Sequence, residues 1–436
     1  MTDNRPNILV IVSHDIGKHL GCYGVPQAGT PHLDRLASEG VRFDRFYSTS
    51  PQCSPARASL FTGRFPHSHG VIGICSTKFD FDLHKDEQHL SSLLHKCGYD
   101  TALAGFQHET IRPHDLPFKK LPNDDSSCDC VADTTVDYLH TRRDDDKPFY
   151  LQVGWSQAHR PFEKFDTPPY TEKGVFLPPW IEDEPSARED FAAFQGSMHR
   201  LDGAMGRIIG ALEQTGLAEN TILVFIGDHG IPFARGKHSL YEAGCEISAL
   251  FRWPAGGWSG GRTHSEFLSG ADLLPTLLDV IGESVGDNVQ GRSFRALLDG
   301  KDYRTAEAVF TEQNFNAYAD VGRAVRTARY KLIANFTPGR GFYDSSQLWR
   351  PLSTVSFIAD QPRTQHPPLE FYDLENDPLE KSNLADDAAY GDKVAQLASM
   401  LYQWMEETED PLLQGLPEPP IYRKTLGLLA NAQNKP

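Results

Sequence analysis

The sequence predicts an α/β protein whose central sheet is largely parallel. Short apolar runs alternate with stretches of helical periodicity, which is the pattern of strands joined by crossover helices. After about residue 303 the pattern changes to strands separated by a long loop rich in proline, serine and aromatic residues. We therefore expect a large first domain over residues 1–303 and a smaller α+β domain with an antiparallel sheet over residues 304–436.

The individual elements follow from apolar runs, capping residues and periodicity. Strands of the main sheet are predicted over residues 8–13, 101–104, 149–154 and 222–227. Helices are predicted over residues 30–40, 54–63, 89–96, 191–214 and 271–281, several of them marked by a Thr-Pro or Ser-Pro start or a glycine end. In the second domain we predict strands over 324–335 and 369–372, a helix over 392–406 and a proline-rich tail.

Each predicted strand of the first domain is followed by histidine or aspartate residues, which can act in catalysis or bind a metal ion. The first ends in His14-Asp15, the second leads to His108, the third to His159 and the fourth to Asp228-His229. In open α/β sheets the carboxyl ends of parallel strands meet at one edge, where ligand sites gather. Each such residue alone is more often a cap or a hydrogen-bonded polar group, but together they predict one site.

Composition limits the class of partner and the location. The formal net charge of −17 argues against non-specific nucleic-acid binding, so any anion site must be locally basic. No segment is apolar and long enough to span a bilayer, and the first apolar run ends in Ser13-His14-Asp15 without a signal-peptide cleavage site. The seven cysteines lack disulfide or zinc-ribbon spacing, and Cys128-Asp129-Cys130 is interpreted as a surface loop. We expect a cytoplasmic protein with no nucleic-acid or membrane partner, and the oligomeric state stays open.

The sharpest local feature is Cys53-Ser54-Pro55-Ala56-Arg57. Cys53 stands just before a predicted helix start, where free backbone N–H groups and the helix dipole favour an anion. Arg57, one turn into the helix, can fork onto two anionic oxygens. In isolation the pattern fits a buried structural cysteine before a proline-capped helix better than a reactive one.

The longer stretch from Cys53 to Arg64 resembles the signature of the formylglycine sulfatases, members of the alkaline-phosphatase superfamily. The resemblance continues through residues 7–17, 30–40, 98–108, 148–159, 221–230, 236–244 and 371–385. Residues 228–241, 324–335 and 404–411 resemble the N-sulfoglucosamine sulfohydrolase branch in finer detail. The family likeness implies an alkaline-phosphatase-like fold with a mostly parallel sheet flanked by helices.

The same resemblance implies the chemistry. A separate formylglycine-generating enzyme oxidises the cysteine that Cys53 matches, and the hydrated aldehyde uses one hydroxyl to attack sulfur and the other to release sulfate. By position, Arg57 belongs to the motif that the enzyme reads, and His108 matches a histidine that contacts the nucleophile. His159 matches the histidine that protonates the leaving group, and Lys237 matches a cation that holds the sulfate.

The resemblance also implies one divalent metal ion at His14, Asp15, Asp228 and His229. Two departures from the family pattern stand out, because His14 replaces an aspartate and Phe106 replaces a lysine. Family members usually hold calcium, and we expect Ca²⁺ here. Two imidazoles among the ligands would suit Mn²⁺ or Zn²⁺ better, which makes either ion the alternative.

Three functions remain open at this stage. The first is a sulfatase acting on a sulfate ester or sulfamate of a small sulfated amino sugar. The second is a phosphonate monoester or phosphodiester hydrolase of the same fold, and the third is a non-catalytic binder of sulfated glycans. A sugar would need polar and aromatic walls, and the predicted loop over residues 341–368 offers Phe342, Tyr343, Gln347, Trp349 and Arg350. The retained cysteine motif favours an enzyme, since a binder needs no oxidisable cysteine.

Overall fold

The structure is a computed structural model that describes residues 5–143, 147–315, 319–338 and 365–433. Its strands are β1 (Asn7–Ser13), β2 (Val41–Phe43), β3 (Phe46–Tyr47), β4 (Asp100–Gly105), β5 (Lys119–Lys120), β6 (Phe149–Gly154), β7 (Thr221–Gly227), β8 (Glu246–Ile247), β9 (Ala249–Arg252), β10 (Arg262–His264), β11 (Leu268–Ser269), β12 (Ala308–Phe315), β13 (Ala319–Thr327), β14 (Tyr330–Asn335) and β15 (Leu369–Asp373). Its α-helices are α1 (Pro31–Glu39), α2 (Cys53–Thr62), α3 (Pro66–His69), α4 (Leu90–Lys96), α5 (Cys128–Thr141), α6 (Pro185–Gln214), α7 (Glu242–Cys245), α8 (Leu273–Val280), α9 (Arg295–Leu298), α10 (Gly391–Glu407) and α11 (Pro420–Gln433).

The main sheet has the strand order β10-β2-β9-β7-β1-β6-β4-β5. Its centre, β7-β1-β6-β4, is parallel, with Val10 paired to Val224 on one side and to Gln152 on the other. Strand β9 runs antiparallel to both of its neighbours, so the sheet is mostly and not wholly parallel. The predicted fold class is confirmed.

Alternation along β1 explains why helices cover both faces of this sheet. Leu9 and Ile11 belong to a core shared with α1, α5 and α6, whereas Ile8, Val10 and Val12 belong to a core shared with α2, α4 and α8. A strand buried on both faces has no polar side, which is why the run over residues 8–12 is continuously apolar.

Besides a three-stranded sheet of order β11-β3-β8, a four-stranded antiparallel sheet of order β12-β13-β14-β15, called the second sheet below, lies in the C-terminal part. Helix α10 packs on it through Leu397, Leu401 and Trp404. The sequence prediction of one strand over 324–335 is corrected, because that run turns back on itself between β13 and β14. Strand β12 and helix α11 were not predicted. The domain boundary between residues 303 and 304 stays a prediction.

Two further expectations need comment. Cys128-Asp129-Cys130 was predicted as a surface loop, and this is wrong, since the three residues form the first turn of α5. Ser127 caps that helix by accepting from the Cys130 N–H, and Cys128 is fully buried beneath it.

Residues 341–364, with the aromatic and polar side chains proposed for sugar binding, lie outside the described residues. Among the described helices, none has the length and apolar character needed to cross a membrane.

Candidate active site

Four parallel strands deliver their polar ends to one edge of the main sheet. His14 and Asp15 follow β1, and Asp228 and His229 follow β7, its direct neighbour. The residues after β4 and β6 reach the same place, since the ring centroids of His108 and His159 lie 6.0 and 5.4 Å from that of His14. Helix α2 and the loop after β7 add Cys53, Arg57 and Lys237. The structure therefore brings together all nine residues that the sequence selected.

Cys53 is the first residue of α2, one residue earlier than predicted, and only 2% of it is exposed. Its Sγ marks where the formylglycine oxygen would stand. Burial alone would raise the pKa of this thiol, but the positive charges of His108 and Lys237 and hydrogen bonds from His108 and His229 hold it well below its usual range. The site is thus built to stabilise negative charge at this position.

Arg57 is buried one turn into α2, where its Nε donates to Asp228 Oδ2 at 3.0 Å and its guanidinium lies over the Phe106 ring at 5.4 Å. Gly154, the last residue of β6, makes room for this arrangement. A Cβ there would lie 2.3 Å from the Phe106 carbonyl oxygen and 3.3 Å from Arg57 Nη1. A larger residue at 154 would therefore displace both groups.

Asp15 and Asp228 are both buried carboxylates. Lys237 Nζ donates to both Asp15 oxygens, at 2.9 and 3.0 Å, while Asp228 Oδ1 accepts from the backbone N–H groups of Asp15 and His229 at 2.9 Å. Burial opposes ionisation, but neighbouring positive charge, from Lys237 at Asp15 and from His229 and His14 at Asp228, holds both pKa values well below the usual range. Both groups are therefore charged and can bind a cation.

The two imidazoles next to these carboxylates test whether a metal ion fits. His229 Nδ1 donates to the Gly230 carbonyl oxygen at 3.0 Å, so the neutral ring carries its lone pair on Nε2. That Nε2 faces Asp15 Oδ1 at 3.1 Å and Asp228 Oδ1 at 3.5 Å, and His14 Nδ1 lies 2.9 Å from Asp228 Oδ2. Neither nitrogen makes a well-aligned hydrogen bond to these carboxylates within the described parts of the chain.

Lone pairs that face each other repel unless a proton or a cation lies between them. Candidate ligand atoms of His14, Asp15 and Asp228 all lie within 4.8 Å of one another, which is close enough for one ion. The Gly230 carbonyl oxygen accepts from His229 Nδ1, the ring nitrogen that faces away from the carboxylates. Histidines that bind a metal ion through one ring nitrogen usually donate from the other nitrogen in this way. Burial would lower the pKa of His229, but the charges of Asp228 and Asp15 raise it to about 10, so without a metal ion a proton on this ring would balance the two carboxylates. The residues present therefore fit a divalent ion.

His159 is oriented by its own backbone. Its Nδ1 donates to the Arg160 carbonyl oxygen at 2.6 Å, so Nε2 is the atom that can exchange a proton with a ligand. Burial and the charge of Lys237 lower its pKa, which makes the protonated ring a stronger acid than a free histidine. Arg160 is in turn fixed by a two-point ion pair with Asp190, at 2.8 and 2.7 Å.

Sequence reasoning missed the residues that support His108. Glu109 is fully buried, and its carboxylate accepts from the His108 N–H at 3.0 Å and from Gln152 Nε2 at 2.9 Å. The sequence feature that could have indicated this support was Gln152, a polar residue inside an apolar central strand.

Phe106, noted in the sequence only as the replacement of a lysine, stacks on His14 with ring centroids 5.2 Å apart and planes 20° apart. His67 and His69 take structural positions, because His69 pairs with Ser59 and His67 with Glu312.

Comparisons with known proteins agree with this geometry. A model of the sulfatase family matches residues 6–283, and a model of the N-sulphoglucosamine sulphohydrolase C-terminal region matches residues 227–350. An ulvan-active sulfatase of Formosa agariphila is 28% identical over 96% of this chain and 78% of its own length. Human N-sulphoglucosamine sulphohydrolase is 28% identical over 93% of this chain and 91% of its own length.

Among solved structures, the Bacteroides fragilis protein yidJ superimposes with a TM-score of 0.78 at 24% identity, over 96% of this chain and 99% of that one. This likeness shows the shared fold. The family model covers well over half of the chain, and the residues that it matches include all nine of the buried cluster. The chain belongs to the sulfatase family, whose members generally use a metal ion and a formylglycine.

Proposed function

We propose that this sulfatase removes sulfate from a small sulfated amino sugar, as a sulfate ester or a sulfamate, through a formylglycine derived from Cys53. The observation that carries the proposal is the position of Cys53. It stands at the amino end of α2, in one buried cluster with two cations, two carboxylates and four imidazoles. A helix start with nearby cations is suited to a group that becomes negative during the reaction.

The residues around Cys53 divide the work. Formylglycine supplies, once hydrated, one hydroxyl for attack on sulfur and a second for the release of sulfate. Arg57 and Lys237 place positive charge where sulfate oxygens would lie, and His108 hydrogen-bonds to the nucleophile position. His159 Nε2 gives a proton to the leaving oxygen or nitrogen, which is needed because alkoxides and amines leave poorly.

We propose that His14, Asp15, Asp228 and His229 hold one divalent ion. Such an ion supplies positive charge that polarises the sulfate group and the nucleophile. The family resemblance favours Ca²⁺, whereas the two imidazole nitrogens favour Mn²⁺ or Zn²⁺. Elemental analysis of protein purified without chelator, followed by reactivation of the apo form with each ion, distinguishes them.

The relatives support a carbohydrate substrate. One is named for activity on ulvan and another for N-sulphoglucosamine, and both match this chain over nearly its whole length. We propose exo-acting hydrolysis of small saccharides, with maturation by a separate formylglycine-generating enzyme. The loop after β7 supports an exo mode, since Leu240 and Tyr241, shortly after Lys237, pack against the second sheet at one side of the cluster.

The test compares substrates under identical conditions. The panel contains glucosamine N-sulfate, glucosamine 6-sulfate, an intact heparan chain, an aryl sulfate and a phosphonate monoester. We expect turnover of at least one sulfated glucosamine and none at internal positions of the polymer. Turnover of the phosphonate alone, or internal cleavage of the chain, contradicts the proposal. Intact mass with peptide mapping around residue 53 shows whether the aldehyde is present in the same preparation.

A further inference from the structure

The ring of Phe106 contacts three side chains of the candidate active site. Phe106 directly follows β4, and its backbone N–H donates to the Gly154 carbonyl oxygen at 3.1 Å, which fixes its position at the edge of the sheet. The ring stacks on His14, lies under the Arg57 guanidinium at 5.4 Å and meets His108 edge-on, with centroids 6.1 Å apart and planes at 72°. A side chain that has no polar atom is therefore central to a cluster of charged and polar groups.

His14 differs from the other histidines of the site in how its ring is held. His229 and His159 each donate from Nδ1 to a backbone carbonyl oxygen, at 3.0 and 2.6 Å. Such a bond fixes the ring and decides which nitrogen faces a metal ion or a substrate. His14 directs Nδ1 towards Asp228, and within the part of the chain that the structure describes no group accepts from its other nitrogen, Nε2. Its orientation therefore needs another cause.

The stack on Phe106 supplies this cause. Two rings with planes only 20° apart restrict rotation of the imidazole about its Cβ–Cγ bond, because a rotated ring would collide with the face of its neighbour. Nδ1 of His14 then stays directed at Asp228 Oδ2, at 2.9 Å. Arg57, the second group in contact with the Phe106 ring, donates from Nε to the same carboxylate oxygen at 3.0 Å. Phe106 thus packs against both groups that converge on Asp228 Oδ2.

The two departures of this chain from the sulfatase pattern are in direct contact, since His14 stands in place of an aspartate and Phe106 in place of a lysine. A phenyl ring offers an imidazole a flat face, which a lysine cannot. We propose that Phe106 is a positioning residue that holds His14 Nδ1 towards the metal ion by stacking, in place of the hydrogen bond that orients His229. This role rests on the proposed metal site.

Metal titration measures this role without any assay of turnover. Every protein carries Cys53→Ala, so that no thiolate in the cluster binds the ion, and Zn²⁺ or Ca²⁺ is titrated into the apo form against a competing chelator. Phe106→Leu should weaken Zn²⁺ binding by about tenfold, the lower end of what is lost when a group that orients a ligand is removed. Ca²⁺ binding should change less, because Ca²⁺ prefers oxygen ligands. Phe106→Met should repeat the loss, whereas Phe106→Tyr keeps the ring and should restore the parent affinity.

Two further proteins separate positioning from general packing. Phe65→Leu removes a ring that stacks on His67, outside the candidate active site, with planes 1° apart, and should leave both affinities unchanged. When His14→Ala is already present, Phe106→Leu should cause no further loss of Zn²⁺ affinity, because the ligand that the ring orients is absent. Circular dichroism confirms that each variant is folded.

The outcomes distinguish this role from the metal site on which it rests. A parent protein that binds one equivalent of Zn²⁺, with unchanged affinity in both Phe106→Leu and Phe106→Met, overturns the role of Phe106 and leaves the metal site standing. The same tenfold loss with and without His14 also overturns it, because Phe106 would then act through another group. A parent that binds neither ion overturns the metal site and the role together.

Discussion

Two buried clusters in this protein contain the same kinds of residue. One joins His14, Asp15 and Asp228 at the edge of the main sheet, and the other joins His67 on α3, Glu312 on β12 and Asp410, which follows α10. In each, the candidate ligand atoms lie within 4.8 Å of one another. Composition and burial alone would assign a metal ion to both.

Their hydrogen bonds separate them. In the second cluster Arg323 donates to both oxygens of Asp410, at 2.6 and 3.0 Å, and Asn314 donates to Glu312 at 3.0 Å. His67 pairs with Glu312 through Nδ1, and its Nε2 faces the Thr408 carbonyl oxygen. Both carboxylates and both imidazole nitrogens of the second cluster therefore have hydrogen-bond partners, and the cluster is closed. In the first cluster Lys237 and Arg57 also pair with Asp15 and Asp228, but His14 Nδ1 and His229 Nε2 face these carboxylates without well-aligned hydrogen bonds. These two nitrogens remain available to an ion.

The largest expected effect tests whether the open cluster is the reactive one. Cys53→Ala should reduce turnover to background, because neither hydroxyl of the hydrated aldehyde can form. Cys75→Ala is the matched control, since this thiol is also buried but bonds to the Glu109 carbonyl oxygen. Steady-state assays on a sulfated glucosamine, with circular dichroism to confirm folding, check both. Activity in Cys53→Ala contradicts the mechanism.

The second prediction compares the same substitution in both clusters. Asp228→Asn should lower kcat/KM by about 10³-fold and reduce bound metal, because it removes a charged ligand next to Arg57. Asp410→Asn should leave the metal content unchanged and lower the free energy of unfolding by about 3 kcal/mol, because it removes the nearer of the two carboxylates that pair with the buried Arg323. Elemental analysis and denaturant unfolding measure the two effects. Equal metal loss in both variants would contradict the proposal that only the first cluster binds a metal ion.

The third prediction sharpens the role of His159 within the open cluster. His159→Ala should slow hydrolysis of glucosamine N-sulfate by about 10²-fold, since the amine leaves poorly without a proton. Hydrolysis of nitrophenyl sulfate should change far less, because nitrophenolate leaves unprotonated. Parallel kcat measurements on the two substrates check this, and equal losses would show that His159 does not deliver the proton.

The smallest effect concerns Glu370, a buried carboxylate whose two oxygens, like those of Asp410, both accept hydrogen bonds from neighbouring side chains. Glu370 accepts from Tyr241, Tyr372 and Asn335 at 2.8, 2.6 and 2.8 Å and pairs with His366 at 2.9 Å. Burial would raise its pKa, but the bonds from His366 and the tyrosines lower it to about 2. The folded pKa lies below the unfolded one, so the stabilisation is complete above about pH 4.5 and is lost as pH falls through about 2.

Glu370→Gln should therefore cost about 2 kcal/mol at pH 7 and make the free energy of unfolding less dependent on pH in the acidic range. Unfolding by denaturant at several pH values down to about 3 measures both quantities. A variant with the same acid dependence as the parent would show that Glu370 contributes none of it.

Much of the fold was readable from the sequence because local and tertiary preferences agree. The run over residues 149–154 is apolar except for Gln152 and forms β6 with the predicted ends, and Gly40 and Gly63 end α1 and α2 as expected. Strand β12 was missed because Thr311, Glu312, Gln313 and Asn314 are polar, and only their burial against residues 48–50 and Arg323 makes them a strand. No local pattern encodes such a partner.

The candidate site was readable to the level of residue identity, since His14, Asp15, Asp228 and His229 directly follow strands. What distinguishes His229 from His67 was not readable. That difference lies in the Gly230 carbonyl, the position of Arg323 and the stacking of Phe106 on His14, all of which depend on distant parts of the chain. Residue types predict that a cluster forms. The groups that contact the cluster from distant parts of the chain decide what it binds.

The complete burial of α2 has a consequence for timing. Every residue from Cys53 to Thr62 is buried, so a modifying enzyme cannot reach this stretch in the folded protein. The backbone N–H of Glu312 bonds to the Thr49 carbonyl oxygen and helps to close the segment that leads into Cys53. Ribosomes add about 5–20 residues per second, so Glu312 emerges on the order of tens of seconds after Cys53. The proposed oxidation of Cys53 would therefore have to precede the folding of this segment.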